Sequence, residues 1–290
     1  MTKILPLAAI VAVAFLGYKH VVHTGEGDAV EAVQTKAPAT LKLVDVAESV
    51  ADYSHRGDAN VARDVHRHPF ETLNFFGVKS GHKVVEILPG SGWYTEILAP
   101  KLKDDGQLVA AHYPKKEGDD SYRTESRVDF EDKLKLDLEV YGNVAITDFN
   151  PVGKVADITK DSDFVLTFRS LHGLQNKGQL SSAFNQFNAM LKDGGKLGIV
   201  QHEAPEGSDV KDVAKLGYLP QSFVIEEAEK AGFKLVASSS INNNPKDIII
   251  QEGVKSGVWA LPPSLRGEGD VARFKEIGES NRMTLLFVKQ

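Results

Sequence analysis

Glu86 is a carboxylate inside an otherwise apolar run of Val84, Val85, Ile87 and Leu88, and Gly90-Ser91-Gly92 begins four residues after it. A glycine turn at the end of a strand lets bare backbone approach a ligand closely. The helix that starts after such a turn offers unpaired N–H groups to a polar or anionic ligand part. Together these suit a nucleotide-like molecule. The dinucleotide pattern needs G-x-G-x-x-G, and Gly90-Ser91-Gly92-Trp93-Tyr94-Thr95 lacks the third glycine. Three histidines, His112, His172 and His202, stand at or just beyond the ends of other apolar runs. An unperturbed imidazole titrates near pH ~6.5, so His172 or His202 could remove a proton from a bound molecule. With Glu203 beside His202, the same imidazoles also form a candidate zinc or iron ligand set.

Side chains so far apart in sequence can meet only if regular elements bring their ends together. Apolar runs at residues 84–88, 107–112, 143–147, 164–168, 196–202, 233–237 and 283–289 read as strands. Helical patterns fall between them. Tyr94, Ile97, Leu98 and Leu102 follow the glycine turn at helical spacing, and Phe130, Leu134, Leu138 and Tyr141 mark one amphipathic helix. Residues 180–191 form another, ended by Asp193-Gly194-Gly195, and a further helix closes at Gly232. Strands alternating with helices imply an α/β fold with a mostly parallel sheet. Ahead of the first strand, residues 45–80 read as two helical pieces around His68-Pro69, whose Arg56, Arg63, Asp64, Arg67 and His68 are candidates for a ligand mouth.

The 290 residues, 42% hydrophobic, suffice for one large domain at 41–290. A net charge of −6 gives no general attraction to phosphate backbones, so no nucleic-acid partner is expected. The absence of cysteine excludes disulfides, thiolate metal ligands, a cysteine nucleophile and lipoprotein acylation. At the N-terminus, Lys3 precedes an apolar run from Ile4 to Leu16. Its length fits the apolar core of a signal peptide, so residues 1–22 read as a signal peptide or else a membrane anchor, with a polar linker at 23–40. Either reading places the domain in the periplasm, free or tethered to the membrane.

Glu86-x-x-x-Gly90-x-Gly92 resembles the cofactor-binding motif of class I S-adenosylmethionine-dependent methyltransferases, with Leu88 where that motif carries its first glycine. The segments ETLNFFGV, PGSGWYTEILAP, LTFRSLHGL, LKDGGKLGIVQHE, NPKD, GVWALPP and IGESNRM extend the likeness from about residue 45 to the C-terminus. They resemble a family of bacterial predicted methyltransferases, often with signal peptides. The resemblance implies a Rossmann-like class I methyltransferase fold: a seven-stranded, mostly parallel sheet in order 3-2-1-4-5-7-6, with helices on both faces. It implies S-adenosylmethionine as cofactor and a small-molecule substrate. By the same resemblance, Glu86 would help hold the amino acid end of the cofactor. Gly90, Ser91 and Gly92 would give backbone room beside it. His112 occupies the place of the acidic residue that holds the ribose, and Asp148 would lie beside adenine. His172 and His202, after strands four and five, become the candidate bases.

The long stretch between the last two strands, about 241–282, then reads as an ordered, lid-like insertion over the site. Asn242, Asn244, Asp247, Arg266, Glu279 and Arg282 are its candidate substrate contacts. Two other readings keep the fold: a metal-dependent enzyme built on the histidines, and a non-catalytic ligand-binding protein.

Overall fold

Val84, Val85 and Ile87 cannot all face one side of a strand, because successive side chains point to opposite faces. All three are fully buried, so the strand that carries them needs cover on both sides. The computed structural model, which describes residues 52–115, 118–247, 257–266 and 271–290, supplies that cover with two helical layers. The expected leader and linker lie outside the described residues. On one face Val85, Ile87 and Val109 pack with Phe184, Phe187, Val224 and Ala228. On the other, Val84, Leu108 and Ala110 pack with Leu73, Phe76, Ile97, Leu98 and Phe130.

The strands are β1 (Lys83–Ile87), β2 (Gln107–His112), β3 (Val144–Asp148), β4 (Ser162–Phe168), β5 (Leu191–Ala204), β6 (Leu219–Pro220), β7 (Phe233–Ser239) and β8 (Arg282–Lys289). Hydrogen bonding places them in the order 3-2-1-4-5-8-7. The two-residue β6 pairs with β5 off this path and was not expected; it moves the count of the last two strands up by one. Strands β1 to β5 pair in parallel, and β8 runs antiparallel between β5 and β7. The order reverses between β1 and β4, and a crevice opens beyond the carboxyl ends of the strands at such a point.

Two local expectations are corrected. The pattern Phe130, Leu134, Leu138 and Tyr141 does not form one helix. Asp137 leaves helical geometry at φ −143° and ψ 83°, and its side chain accepts the Val140 N–H, starting a new turn at Leu138–Tyr141. Leu138 is consequently exposed, whereas Phe130, Leu134 and Tyr141 are buried. Strand β5 also begins at Leu191, before Gly194-Gly195, because Leu191 is already extended and pairs with Ser162.

The helix Pro69–Phe76 reaches the sheet at Gly198 of β5. A Cβ at Gly198 would stand 2.7 Å from the Leu166 side chain and 2.9 Å from the Phe76 ring. That close approach fixes the depth at which the preceding residues, including Arg63 and Arg67, overhang the strand ends. Gly198→Ala is therefore expected to destabilise the fold by about 1–3 kcal/mol through overpacking. Urea unfolding tests this, and an unchanged midpoint would show that the helix yields without cost.

Candidate functional site

The residues that follow β1 and β4, Leu88 and Arg169, both adopt left-handed backbone geometry, with φ of 50° and 59°. For a residue with a Cβ this costs roughly 1–2 kcal/mol. Each is pinned by its own N–H: Leu88 donates to the Ala111 carbonyl at 2.8 Å, and Arg169 to the Val200 carbonyl at 2.7 Å. Backbone strain at two adjacent strand ends marks a place where the chain is turned to present something. Both residues border a cavity.

Two cavities meet there. One, of about 350 Å³, is lined by Tyr113, Asp119, Arg123, Phe149, Asn150 and Gln179 among others, so it lies over the ends of β2 and β3. The second, of about 420 Å³, is bounded by the glycine turn, His172, His202, Arg63, Arg67 and Arg169, with Trp259 and Pro262 on the far wall. Leu88, Tyr113, Ser170 and Gly173 border both. Gly90 has φ +60°, and a Cβ built on it or on Gly173 meets nothing within 4 Å, so both leave open space beside the backbone. Gly92 differs: a Cβ there would strike the Phe130 ring at 2.9 Å, which makes its bareness a packing requirement.

The two histidines differ in what their rings can do. Gln201 accepts the Leu171 N–H on Oε1 and donates from Nε2 to the Gly217 carbonyl at 3.0 Å, which fixes its amide orientation. The same Nε2 lies 3.3 Å from His172 Nδ1, so Nδ1 accepts and Nε2 of His172 carries the hydrogen. His202 Nδ1 is 2.5 Å from Ser280 Oγ, and either atom can donate; in the tautomer in which Nδ1–H donates to the hydroxyl, His202 Nε2 keeps a free lone pair. Burial, opposed by the bond to Gln201, brings His172 down to about 4. Burial and then the neighbouring His172 and Arg169 hold His202 well below the usual imidazole range. Both rings are neutral at pH 7.

A SAM-dependent methyltransferase from Aquifex aeolicus is 15% identical, with 79% of this chain and 93% of that chain covered and a TM-score of 0.52. The [4+2]-cyclase SpnF is 14% identical, with 77% and 80% covered and a TM-score of 0.53. The class I methyltransferase fold is the architecture of this chain. No family model and no curated protein matches the sequence. The likeness therefore concerns the fold, and that fold houses a cyclase as well as a methyltransferase.

Measured against the methyltransferase motif, the residues singled out in the sequence divide. Gly90, Ser91, His172 and His202 line the second cavity. Glu86 does not: it is 2% exposed and accepts the Thr95 hydroxyl at 2.6 Å beneath the turn. Burial raises its carboxyl to about 7, against the opposing effects of Thr95 and Lys133. His112 is fully buried, takes the Tyr113 N–H on Nδ1 at 2.7 Å and donates from Nε2 to the Gly90 carbonyl at 3.0 Å. It braces the glycine turn and lines neither cavity. Asp148 is exposed and paired with Arg127 at 2.9 Å, while the next two residues, Phe149 and Asn150, line the first cavity. His112 is thus separated from the other two histidines, and among the described residues no group of three or more His, Cys, Asp or Glu is placed to hold a metal.

The outlying candidates divide too. Arg63, Arg67 and Glu279 reach the cavity, whereas Arg56 is paired with Asp64 at 2.7 Å. Asn242 and Asn244 serve the scaffold, donating to Thr72 and Thr284 and to the carbonyls of Ile277 and Glu279. Sequence reasoning missed Arg169, Trp93, Gln201 and Ser280. A charge directly after strand four, three residues before His172, was the available signal for Arg169. The other three become visible only when distant segments are brought together.

Proposed function

We propose that this protein transfers a methyl group from S-adenosylmethionine to a small molecule. The observation that carries the reading is the pair of cavities that meet over the ends of β1 and β4, one polar and of nucleoside scale, the other bordered by buried neutral histidines. The cavity walls fit the cofactor in kind: Gly90 leaves open space at the turn, and Phe149, Asn150 and Asp119 offer an aromatic face and polar groups for a nucleoside. When bound, that cofactor supplies an electrophilic methyl group on a sulfonium. The protein's own part is to orient the acceptor and to take its proton.

His202 Nε2 is the base in this reading, and the Nε2 hydrogen of His172 orients the acceptor atom. The two rings are 5.7 Å apart between centroids, close enough to address one group. Val258, Trp259 and Leu261 to Ser264 of the insertion border this side, with Trp259 edge-on to His172 at 6.1 Å. Export by the apolar leader belongs to the same proposal.

The reading is tested by calorimetric titration of S-adenosylhomocysteine and S-adenosylmethionine into the purified protein. Micromolar binding is expected. A folded protein that binds neither at millimolar concentration would end it, and turnover of a non-methyl reaction would favour a cyclase-like use of the fold.

A pH prediction follows from the histidines. Because His172 is held near 4, its ring is expected to stay neutral down to about pH 5 in an NMR titration, as is that of His202. In the unfolded chain both would titrate near pH ~6.5. The unfolded state then binds more protons, so folding stability falls as pH drops through the range between the unfolded and folded values. Half-protonation of either ring above pH 6 in the folded protein would show that burial does not hold these rings neutral.

A further inference from the structure

The second cavity carries more positive charge than its own carboxylates balance. Glu279 lies 2.7 Å from Arg63 Nη2, 2.9 Å from Arg67 Nε and 3.2 Å from Arg282 Nη1. Arg169, opposite them at the end of β4, acts on Arg67 as a like charge. Asp247 also bears on Arg282, while being held by Tyr218 and by the Asn281 N–H. Even with Asp247 counted for Arg282, Glu279 is, among the described residues, the carboxylate that faces Arg63, Arg67 and Arg169. Arg67 is 1% exposed, and both its Nη1 and Nη2 are buried without a hydrogen-bond partner. Its guanidinium lies over the Trp93 ring at 4.5 Å, so one face is packed and the donor edge is left over. Burial and Arg169 push Arg67 down to about 9, and burial brings Arg169 to about 10; both remain charged at neutral pH.

Buried guanidinium donors without partners are costly unless a ligand completes them. Planar forks facing one space match a carboxylate or a phosphate. The cofactor is a poor candidate for this role. Its amino acid end is zwitterionic and its sulfonium is cationic, so it adds one net positive charge to a region already in excess. We infer that Arg67 and Arg169, with Arg63 at the rim, bind a carboxylate or phosphate group on the methyl acceptor, making the substrate a small organic anion. The acceptor atom then lies on the histidine side of the same cavity. This inference rests on the methyltransferase reading for its word acceptor, and on the arginines alone for the anion.

The test uses inorganic phosphate as probe, titrated into the full-length protein at constant ionic strength, followed by calorimetry and by thermal midpoint. Titrations are run alone, with saturating S-adenosylhomocysteine, and with 5′-methylthioadenosine, which lacks the carboxylate. Saturable phosphate binding is expected in all three conditions, weakened about tenfold in Arg169→Met and partly restored in Arg169→Lys. Arg63→Met, at the half-buried rim, gives an independent variant should Arg169→Met misfold. Phosphate binding abolished by S-adenosylhomocysteine but kept with 5′-methylthioadenosine would assign the arginines to the cofactor's own carboxylate and overturn the inference. Absence of saturable binding by the folded protein would overturn it as well. Phosphate binding by a protein that ignores S-adenosylhomocysteine would leave the anion site standing and remove the cofactor instead.

Discussion

Glu279→Gln is expected to cost about 3–5 kcal/mol of folding stability, the loss typical when one partner of a buried ion pair is removed and its opposite charge is stranded. The carboxylate is 4% exposed and shared by Arg63, Arg67 and Arg282. Glutamine keeps the shape and can satisfy few of these donors, while the mutual repulsion of the guanidinium groups is no longer opposed. The arginines drive the Glu279 carboxyl down to about 2 against the opposing effect of burial, compared with an ordinary value of 4.5. A depressed carboxylate contributes stability above its unfolded value and loses it as pH falls through the folded one. The wild type and variant should therefore differ most at neutral pH, and their urea midpoints should converge as pH falls from 4.5 toward 2. A difference below about 1 kcal/mol at pH 7 would show that the cluster is held by packing and not by this charge.

Gly173→Leu is expected to lower S-adenosylhomocysteine affinity by about 100-fold, or about 2.7 kcal/mol, with stability kept. Gly173 lies in the short helix Leu171–Gln175, borders both cavities and has nothing within 4 Å of an added Cβ. The new side chain would fill the junction instead of the core. Leucine is also favoured over glycine in a helix by roughly 0.5–1 kcal/mol, so the thermal midpoint should hold or rise. Calorimetry on the folded variant gives the answer, and affinity within threefold of wild type would place the cofactor elsewhere.

The contrast between these two positions shows how far the sequence could be read. Gly173 stands in the segment LTFRSLHGL, beside His172, and its neighbourhood was open to a reading of strand ends. Glu279 belongs to a segment more than two hundred residues from Arg63 and Arg67, and nothing local joins them. The same division separates the two halves of the glycine motif. That a strand, a turn and a helix occur at 83–102 follows from the apolar run, Pro89, Gly90 and the helical spacing after it, all local patterns. That Glu86 turns beneath the turn to Thr95, and that His112 braces the Gly90 carbonyl instead of facing a ligand, depends on which side of each strand end is filled.

By itself, then, the sequence determined the α/β class, the strand at nearly every place it occurs and the strand ends over which the cavities open. Those features rest on periodicity and on turn residues, which act within a few positions of the chain. The tertiary structure alone decided which charges are paired and which are left over. It set Arg169 against Arg67, gave Glu279 to three arginines at once, oriented Gln201 toward His172 Nδ1 and Ser280 toward His202 Nδ1, and divided the space over the strand ends into two cavities. Desolvation and Coulomb energy depend on distance in space, and no pattern along the chain specifies that distance.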